Sequence, residues 1–255
     1  MPEFASSDNY IFFWTIASLA AFFVGFSKNG ISGAGILAIP AMALVFTPKE
    51  STGVILPMLI AGDIIAVYCF RRHGEWKYIL KSLPWAFPGI IAGWAMMNFS
   101  GISQRQFSFM IGLIVMAVLF LGEWLAYKKS DSELHIPHKW WFAAVFGVLG
   151  GFTTMTANAA GPIFAIYLIV LNLPKDSFIG TTAWIFFLLN ISKLPLSCHL
   201  GFITTNKLIF NIKMLPFIAV GAFVGYKTQK IIPQKSFTLI VKLLAAAAAL
   251  KLIFT

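Results

Sequence analysis

Ten apolar runs occupy most of this chain, and they constrain its fold more than any other feature. Hydrophobic residues make up 59% of the 255 positions and charged residues 11%, whereas soluble domains are about half apolar and about a quarter charged. The runs cover residues 10–26, 36–46, 51–70, 79–97, 107–127, 140–152, 163–173, 177–197, 208–226 and 236–254. Because lipid does not tolerate irregular backbone, the full-length runs predict transmembrane helices. A soluble globular fold is excluded, and no room remains for a separate soluble domain.

The surplus of positive charge, 19 Lys and Arg against 9 Asp and Glu, predicts membrane topology. It does not indicate a nucleic-acid partner, because no basic stripe or soluble module carries it. One set of loops holds Arg71, Arg72, Lys77, Lys81, Lys128, Lys129, Lys139, Lys175, Lys227, Lys230 and Lys235, and the opposite set holds Lys49, Arg105, Lys207, Lys213 and Lys251. Cytoplasmic loops are enriched in Lys and Arg. We therefore expect a multi-pass protein of the cytoplasmic (inner) membrane with both termini outside.

Two halves of the chain share an order of motifs, which indicates an internal repeat. Gly53, Asp63 and Gly74 align at one offset with Gly180, Asn190 and Gly201, and Leu83, Pro84, Gly89 and Gly93 align at another with Leu215, Pro216, Gly221 and Gly225. Chance recurrence of Gly and Pro is the alternative, but the shared order disfavours it. The sequence predicts a first repeat over residues 1–127 and a second over residues 128–255.

Two apolar runs are too short to cross a membrane. Residues 36–46 and 163–173 would each rise about 16 Å as a helix, roughly half of a hydrocarbon core. Each repeat then reads as a helical hairpin, which either spans or re-enters, followed by three transmembrane helices. That odd number of crossings inverts the second repeat. The expected fold is an all-α polytopic membrane protein with two inverted repeats, the arrangement in which secondary transporters bind substrate near the midplane.

The tip of the first hairpin is a candidate anion cradle. It contains Lys28, Asn29, Gly30, Ser32 and Gly33. A lysine in an apolar region should face a cavity, a counter-charge or an anion, and glycines let backbone amides approach a ligand. The alternative is that the glycines serve helix packing and that Lys28 reaches the membrane surface.

The tip of the second hairpin offers neutral donors. It contains Thr153, Thr154, Thr156, Asn158 and Gly161. One cation with several neutral donors suits a small oxyanion better than a cation or an apolar solute. Because hydroxyls also bond to helix carbonyls, some of these side chains are expected to be structural.

Asp63 is the one acid well inside an apolar run, and its repeat counterpart is Asn190. An intramembrane carboxylate suggests either an ion pair or a proton carrier. Lys193, in the run that corresponds to that of Asp63, is the candidate counter-charge. If the two pair, Asp63 is structural; if Asp63 faces the cavity unpaired, it can couple protons.

At these residues the chain resembles the TauE/SafE family of sulfite and organosulfonate exporters. The resemblance rests on GISGAGILAIP at residues 30–40, on the second half with its own Gly-Phe tip motif and Gly161, and on the apolar pattern of nearly the whole chain. It implies secondary transport, outward, of sulfite, an organosulfonate or a related sulfur or carboxylate anion.

Two other function classes stay open. A passive anion channel would share the cradle. An intramembrane serine protease is suggested by the GxSG match at residues 30–33, but that chemistry needs a histidine base, and His199 is the one histidine near a span. We expect no enzyme activity, no cofactor and no metal, since no metal-ligand spacing occurs. The expected partners are a small anion and the lipid bilayer, and a homodimer stays open.

Overall fold

The computed structural model describes residues 7–30, 38–43, 45–46, 48–99 and 140–254, with the isolated positions 105, 106, 109, 113, 116, 117 and 120. These residues form helices and no strand. The α-helices are α1 (Ser7–Asn29), α2 (Ala38–Ala43), α3 (Pro48–Phe70), α4 (Trp76–Phe99), α5 (Trp140–Ala157), α6 (Ala160–Val170), α7 (Lys175–His199), α8 (Thr205–Ile231) and α9 (Gln234–Phe254). One 3₁₀ turn, Arg71–His73, follows α3.

Among the described residues, four helices are long and apolar enough to cross a membrane. Their apolar stretches are Tyr10–Asn29, Gly53–His73, Lys175–His199 and Thr205–Ile231. Prolines lie inside α3, α4, α7 and α8, as membrane helices tolerate where neighbouring groups satisfy the freed carbonyls. The prediction of an all-helical, multi-pass membrane protein is confirmed.

Helices α1 and α8 run parallel and pack at backbone distance. A Cβ atom on Gly25 would lie 2.0 Å from the Ile218 carbonyl oxygen, and one on Gly221 would lie 2.0 Å from that of Phe22. Farther along both helices, Gly225 faces Phe26. Small residues permit this close approach, which compensates for the weak hydrophobic drive between helices in lipid.

Helices α4 and α5 form a second parallel pair through the same device. A Cβ atom on Gly151 would lie 2.0 Å from the Ala86 carbonyl oxygen, and one on Gly89 would lie 2.1 Å from that of Val148. The contact of Gly25 with Ile218 corresponds to the contact of Gly151 with Ala86. Gly151 follows Gly25 by 126 positions, and Ile218 follows Ala86 by 132 positions. The offset of 132 is the one that relates Gly89 to Gly221 in the sequence.

Helices α3 and α7 lie antiparallel. Gly53 at the start of α3 abuts Phe202 just after α7, and Gly180 near the start of α7 abuts Phe70 at the end of α3. Between these ends, Asp63 meets Asn190. The α3–α7 pair also contacts α1, α4 and α8, so its middle is surrounded by other helices.

The second hairpin tip is shorter than the sequence suggested, and the helix before the first tip extends farther than expected. Helix α1 continues through Asn29 and α5 through Ala157, and α6 begins at Ala160 instead of Ile163. The hydroxyls of Thr153 and Thr156 bond within α5, and a left-handed Asn158, with φ of 52°, ends this helix. The second tip is therefore two residues, Asn158 and Ala159. Ser32 and Gly33 of the first tip lie outside the described residues.

Candidate functional site

Lys28 and Asp63 form an ion pair between α1 and α3, in which the carboxylate is fully buried. The Lys28 Nζ lies 2.7 Å from Asp63 Oδ1, and the two side chains are 12% and 0% exposed. The ammonium also lies 4.3 Å from the centre of the Phe186 ring on α7, a cation–π contact. The charge of Lys28 is thus compensated by a carboxylate and by an aromatic face.

Asn190 holds the other oxygen of the same carboxylate. Its Nδ2 donates to Asp63 Oδ2 at 2.5 Å, and Asn190 is 2% exposed. Hydrogen bonds to a charged acceptor are shorter and stronger than neutral ones. Asp63 is therefore held from two helices at once.

Lys193 lies on the same face of α7 as Asn190 and binds the last turns of α5 and the second tip. Its Nζ donates to the Thr154 carbonyl oxygen at 3.1 Å, to Thr154 Oγ1 at 3.0 Å and to Asn158 Oδ1 at 2.5 Å. Lys193 is 2% exposed. Three acceptors match the three protons of an ammonium, but all three acceptors are neutral.

Together these side chains form what we call the central polar cluster, which consists of Lys28, Asp63, Thr154, Asn158, Asn190 and Lys193. Asp63 lies ten residues from each end of the apolar stretch Gly53–His73, which is about 15 Å along a helix in either direction. The cluster carries two basic side chains and one acidic side chain. With all three ionised, its net charge is +1.

The structure brings some predicted site residues together and directs others elsewhere. Lys28, Thr154 and Asn158 join the cluster with Asp63, Asn190 and Lys193. In contrast, Thr153 donates to the Leu149 carbonyl oxygen at 2.8 Å, Thr156 to that of Phe152 at 2.9 Å and Asn29 to that of Gly25 at 3.2 Å. These three side chains donate to backbone carbonyl oxygens of their own helices.

Of the glycines predicted for the site, Gly30 and Gly161 are among the described residues, and their surroundings differ. A Cβ atom on Gly30 would lie 2.8 Å from the Gly225 Cα, so Gly30 serves the packing of α1 against α8. A Cβ atom on Gly161 would meet nothing within 4 Å. Gly161 therefore borders open space in the first turn of α6, where no side chain caps the helix.

The partner of Asp63 differs from the one expected. The sequence pointed to Lys193 as the counter-charge, but the ion pair forms with Lys28, and Lys193 turns to Thr154 and Asn158. The Phe186 contact was missed. A helical-face analysis of α7 could have found it, because positions 186, 190 and 193 follow the i, i+4, i+7 spacing of one helix face.

The family of this chain follows from how much of its length one family model matches. The family model described as the sulfite exporter TauE/SafE matches residues 17–252. The chain belongs to this family. No curated protein and no solved structure matches it. Because TauE/SafE is a family of membrane transporters, membership agrees with the apolar helices and with a role other than catalysis.

Two features of this TauE/SafE protein bear on the protease alternative. Ser32, the serine of the GxSG match, lies outside the described residues. His199 lies at the end of α7, where its ring contacts Trp94 at 5.7 Å between centroids. The central polar cluster, in the middle of the α3–α7 pair, is where we look for substrate.

Proposed function

We propose that this protein is a secondary transporter that exports a small anion, sulfite or an organosulfonate, through the central polar cluster. The observation that carries the proposal is the charge of that cluster, where Asp63 and Lys193 are buried and Lys28, 12% exposed, pairs with Asp63. Isolated charges are costly inside a membrane, and they mark ion pathways. A net positive site among apolar helices favours an anion.

Neutral donors complete the proposed site. The first turn of α6 has no side-chain cap and borders the open space at Gly161, and free N–H groups at a helix N-terminus favour anions. Thr154 and Asn158 already lie beside Lys193. From the first tip, the proposal includes the backbone of Asn29, Gly30, Ser32 and Gly33.

For the transport cycle, we propose alternating access between two inverted repeats. The parallel α1–α8 pair in one part of the molecule and the parallel α4–α5 pair in another use glycine contacts related by constant sequence offsets. Both pairs join one half of the chain to the other, and antiparallel α3 and α7 lie between them. An arrangement of this kind lets one unit rock against the other around a fixed site.

For the orientation, we propose the cytoplasmic membrane with both termini outside. Lys175 donates to the carbonyl oxygens of Gln229 and Ile232 at 2.7 and 2.9 Å, and Phe70 contacts Tyr226. The end of α3, the start of α7 and the end of α8 therefore lie at one end of the molecule. Most of the basic loop residues flank these segments, which supports a cytoplasmic side there.

Asp63 is assigned to pairing instead of proton transport in this proposal. Its carboxylate is fully buried and bound by Lys28 and Asn190. An ammonium and an amide donor both stabilise the charged form of this carboxylate, so we expect Asp63→Asn to leave the response of flux to a pH gradient intact. Loss of that response would return the coupling role to Asp63.

Transport in proteoliposomes tests the proposed function. We expect purified protein to move sulfite with saturation and to exchange internal for external anion. A passive channel would give flux without saturation or exchange. A protease would cleave membrane peptides in a manner abolished by Ser32→Ala, and such cleavage without anion flux would overturn the proposal.

A further inference from the structure

The two lysines of the central polar cluster differ in how their charges are compensated. Lys28 has a carboxylate at 2.7 Å and an aromatic face at 4.3 Å. The oxygens that the described residues place within hydrogen-bond distance of Lys193 are all neutral. Among the described residues, no acidic side chain forms an ion pair with Lys193.

The undescribed part of the first tip does not supply an acid either. Residues 31–37 read ISGAGIL. A buried ammonium without a counter-ion is costly in a membrane, because neutral acceptors replace only part of its hydration. Lys193 is nevertheless 2% exposed and surrounded by acceptors that suit its charged form. This environment favours the binding of an anion beside the Lys193 ammonium.

We propose that Lys193, and not Lys28, is the charge partner of the transported anion, and that the site is matched to a monovalent anion. This inference rests on the proposed transport function and specifies its substrate class. With Lys28 neutralised by Asp63, the remaining charge of the cluster is +1. A monovalent anion brings the cluster to zero, whereas a divalent anion leaves an excess negative charge in a medium that disfavours it.

Asn158 is the ligand that the anion displaces. It occupies the two-residue break between α5 and α6 in a left-handed conformation, with φ of 52°, and its Oδ1 accepts from Lys193. Unlike the backbone carbonyl of Thr154, this amide oxygen can leave by side-chain rotation. The same rotation presents the amide N–H groups, which an oxyanion accepts.

Bisulfite, the monovalent form of sulfite, and organosulfonates with a single charge fit this class. Sulfite exchanges its second proton near neutral pH, so its charge is ambiguous in an assay. Methanesulfonate and sulfate are better probes, because near neutral pH the first is monovalent and the second divalent. Each is tested as a competitor of sulfite flux in proteoliposomes that contain the full-length protein.

Three variants separate the roles of the lysines. Lys193→Gln retains hydrogen bonding and removes the charge, and we expect it to weaken methanesulfonate competition on the order of a hundredfold. Lys28→Met with Asp63→Asn removes the neutral pair and keeps a net charge of +1. This double variant should keep its preference for methanesulfonate over sulfate. Asp63→Asn alone raises the net charge to +2 and should shift the preference toward sulfate.

The outcomes distinguish this inference from the function on which it rests. A wild-type protein that moves neither sulfite nor methanesulfonate would overturn the proposed function. Active wild type with unimpaired Lys193→Gln would overturn the assignment of Lys193 alone. An equal loss of methanesulfonate competition in the double variant would assign the anion to Lys28 instead. An unchanged preference for methanesulfonate over sulfate in Asp63→Asn would refute charge matching. Size-exclusion profiles establish that each variant is folded, and Asp63→Asn keeps the test decisive if Lys193→Gln does not fold.

Discussion

Asn190 donates a 2.5 Å hydrogen bond to Asp63, the residue 127 positions earlier in the chain. The aligned glycines Gly53 and Gly180 differ by the same number, as expected if the proposed repeats meet at corresponding positions. Replacement of Asn190 by Leu leaves one oxygen of a buried carboxylate without its donor. We expect a loss of about 1.5–3 kcal/mol in stability, the range for hydrogen bonds to charged groups, measured by thermal unfolding in detergent.

Ser192→Ala is the matched control for this prediction. The Ser192 hydroxyl donates to the Leu188 carbonyl oxygen of its own helix at 2.6 Å. Its removal therefore leaves no buried charge without a hydrogen-bond donor. Equal destabilisation by the two substitutions would show that the Asp63–Asn190 bond has no special role.

Lys28→Ala should destabilise the protein more than the double substitution with Asp63→Ala. The single change leaves the fully buried Asp63 carboxylate without its cationic partner. Removal of one partner of a buried pair costs about 3–5 kcal/mol. The double change removes both charges. Unfolding temperatures of the four members of this cycle measure the coupling, and additive effects would contradict the ion pair.

Gly151→Ala and Gly25→Ala should prevent stable assembly of the helices. Each added methyl group would lie 2.0 Å from a carbonyl oxygen of the partner helix, a distance that forces the helices apart. Gly161→Ala is the control, because its methyl group would meet nothing within 4 Å. Yield and monodispersity in detergent report the outcome, and a well-folded Gly151→Ala protein would refute the close packing of α4 and α5.

Lys175→Met should loosen the end of α8. The Lys175 ammonium caps two carbonyl oxygens there, those of Gln229 and Ile232, and charged caps at helix C-termini contribute about 0.3–1 kcal/mol. Faster hydrogen exchange over the last turn of α8 measures the effect. Lys235→Met, at an exposed site near the start of α9, should change little, and equal exchange in both variants would speak against the cap.

The sequence predicted the helical membrane fold because apolar runs of this length have few alternatives in lipid. It also brought Asp63 and Asn190 to attention, since a buried acid is rare in such runs. It could not predict that Lys28 would be the partner of Asp63. That choice depends on how α1 sits against α3, with the Lys28 stem beside Gly62, and no local pattern encodes this distance.

The tips were also beyond sequence reasoning. Helix propensity cannot tell whether Thr153 and Thr156 bond to a ligand or to the preceding turn, because both uses suit a hydroxyl. In the structure both hydroxyls bond to the preceding turn of α5, which extends to Ala157. The donors near a substrate are therefore fewer than the sequence suggested.

Counterflow of radiolabelled sulfite tests the central claim most directly. Proteoliposomes loaded with unlabelled sulfite should accumulate the label transiently, with a rate that saturates and that Lys193→Gln strongly lowers. Uptake equal to that of protein-free liposomes, or a rate that rises without saturation and shows no counterflow, would contradict an anion transporter built around the central polar cluster.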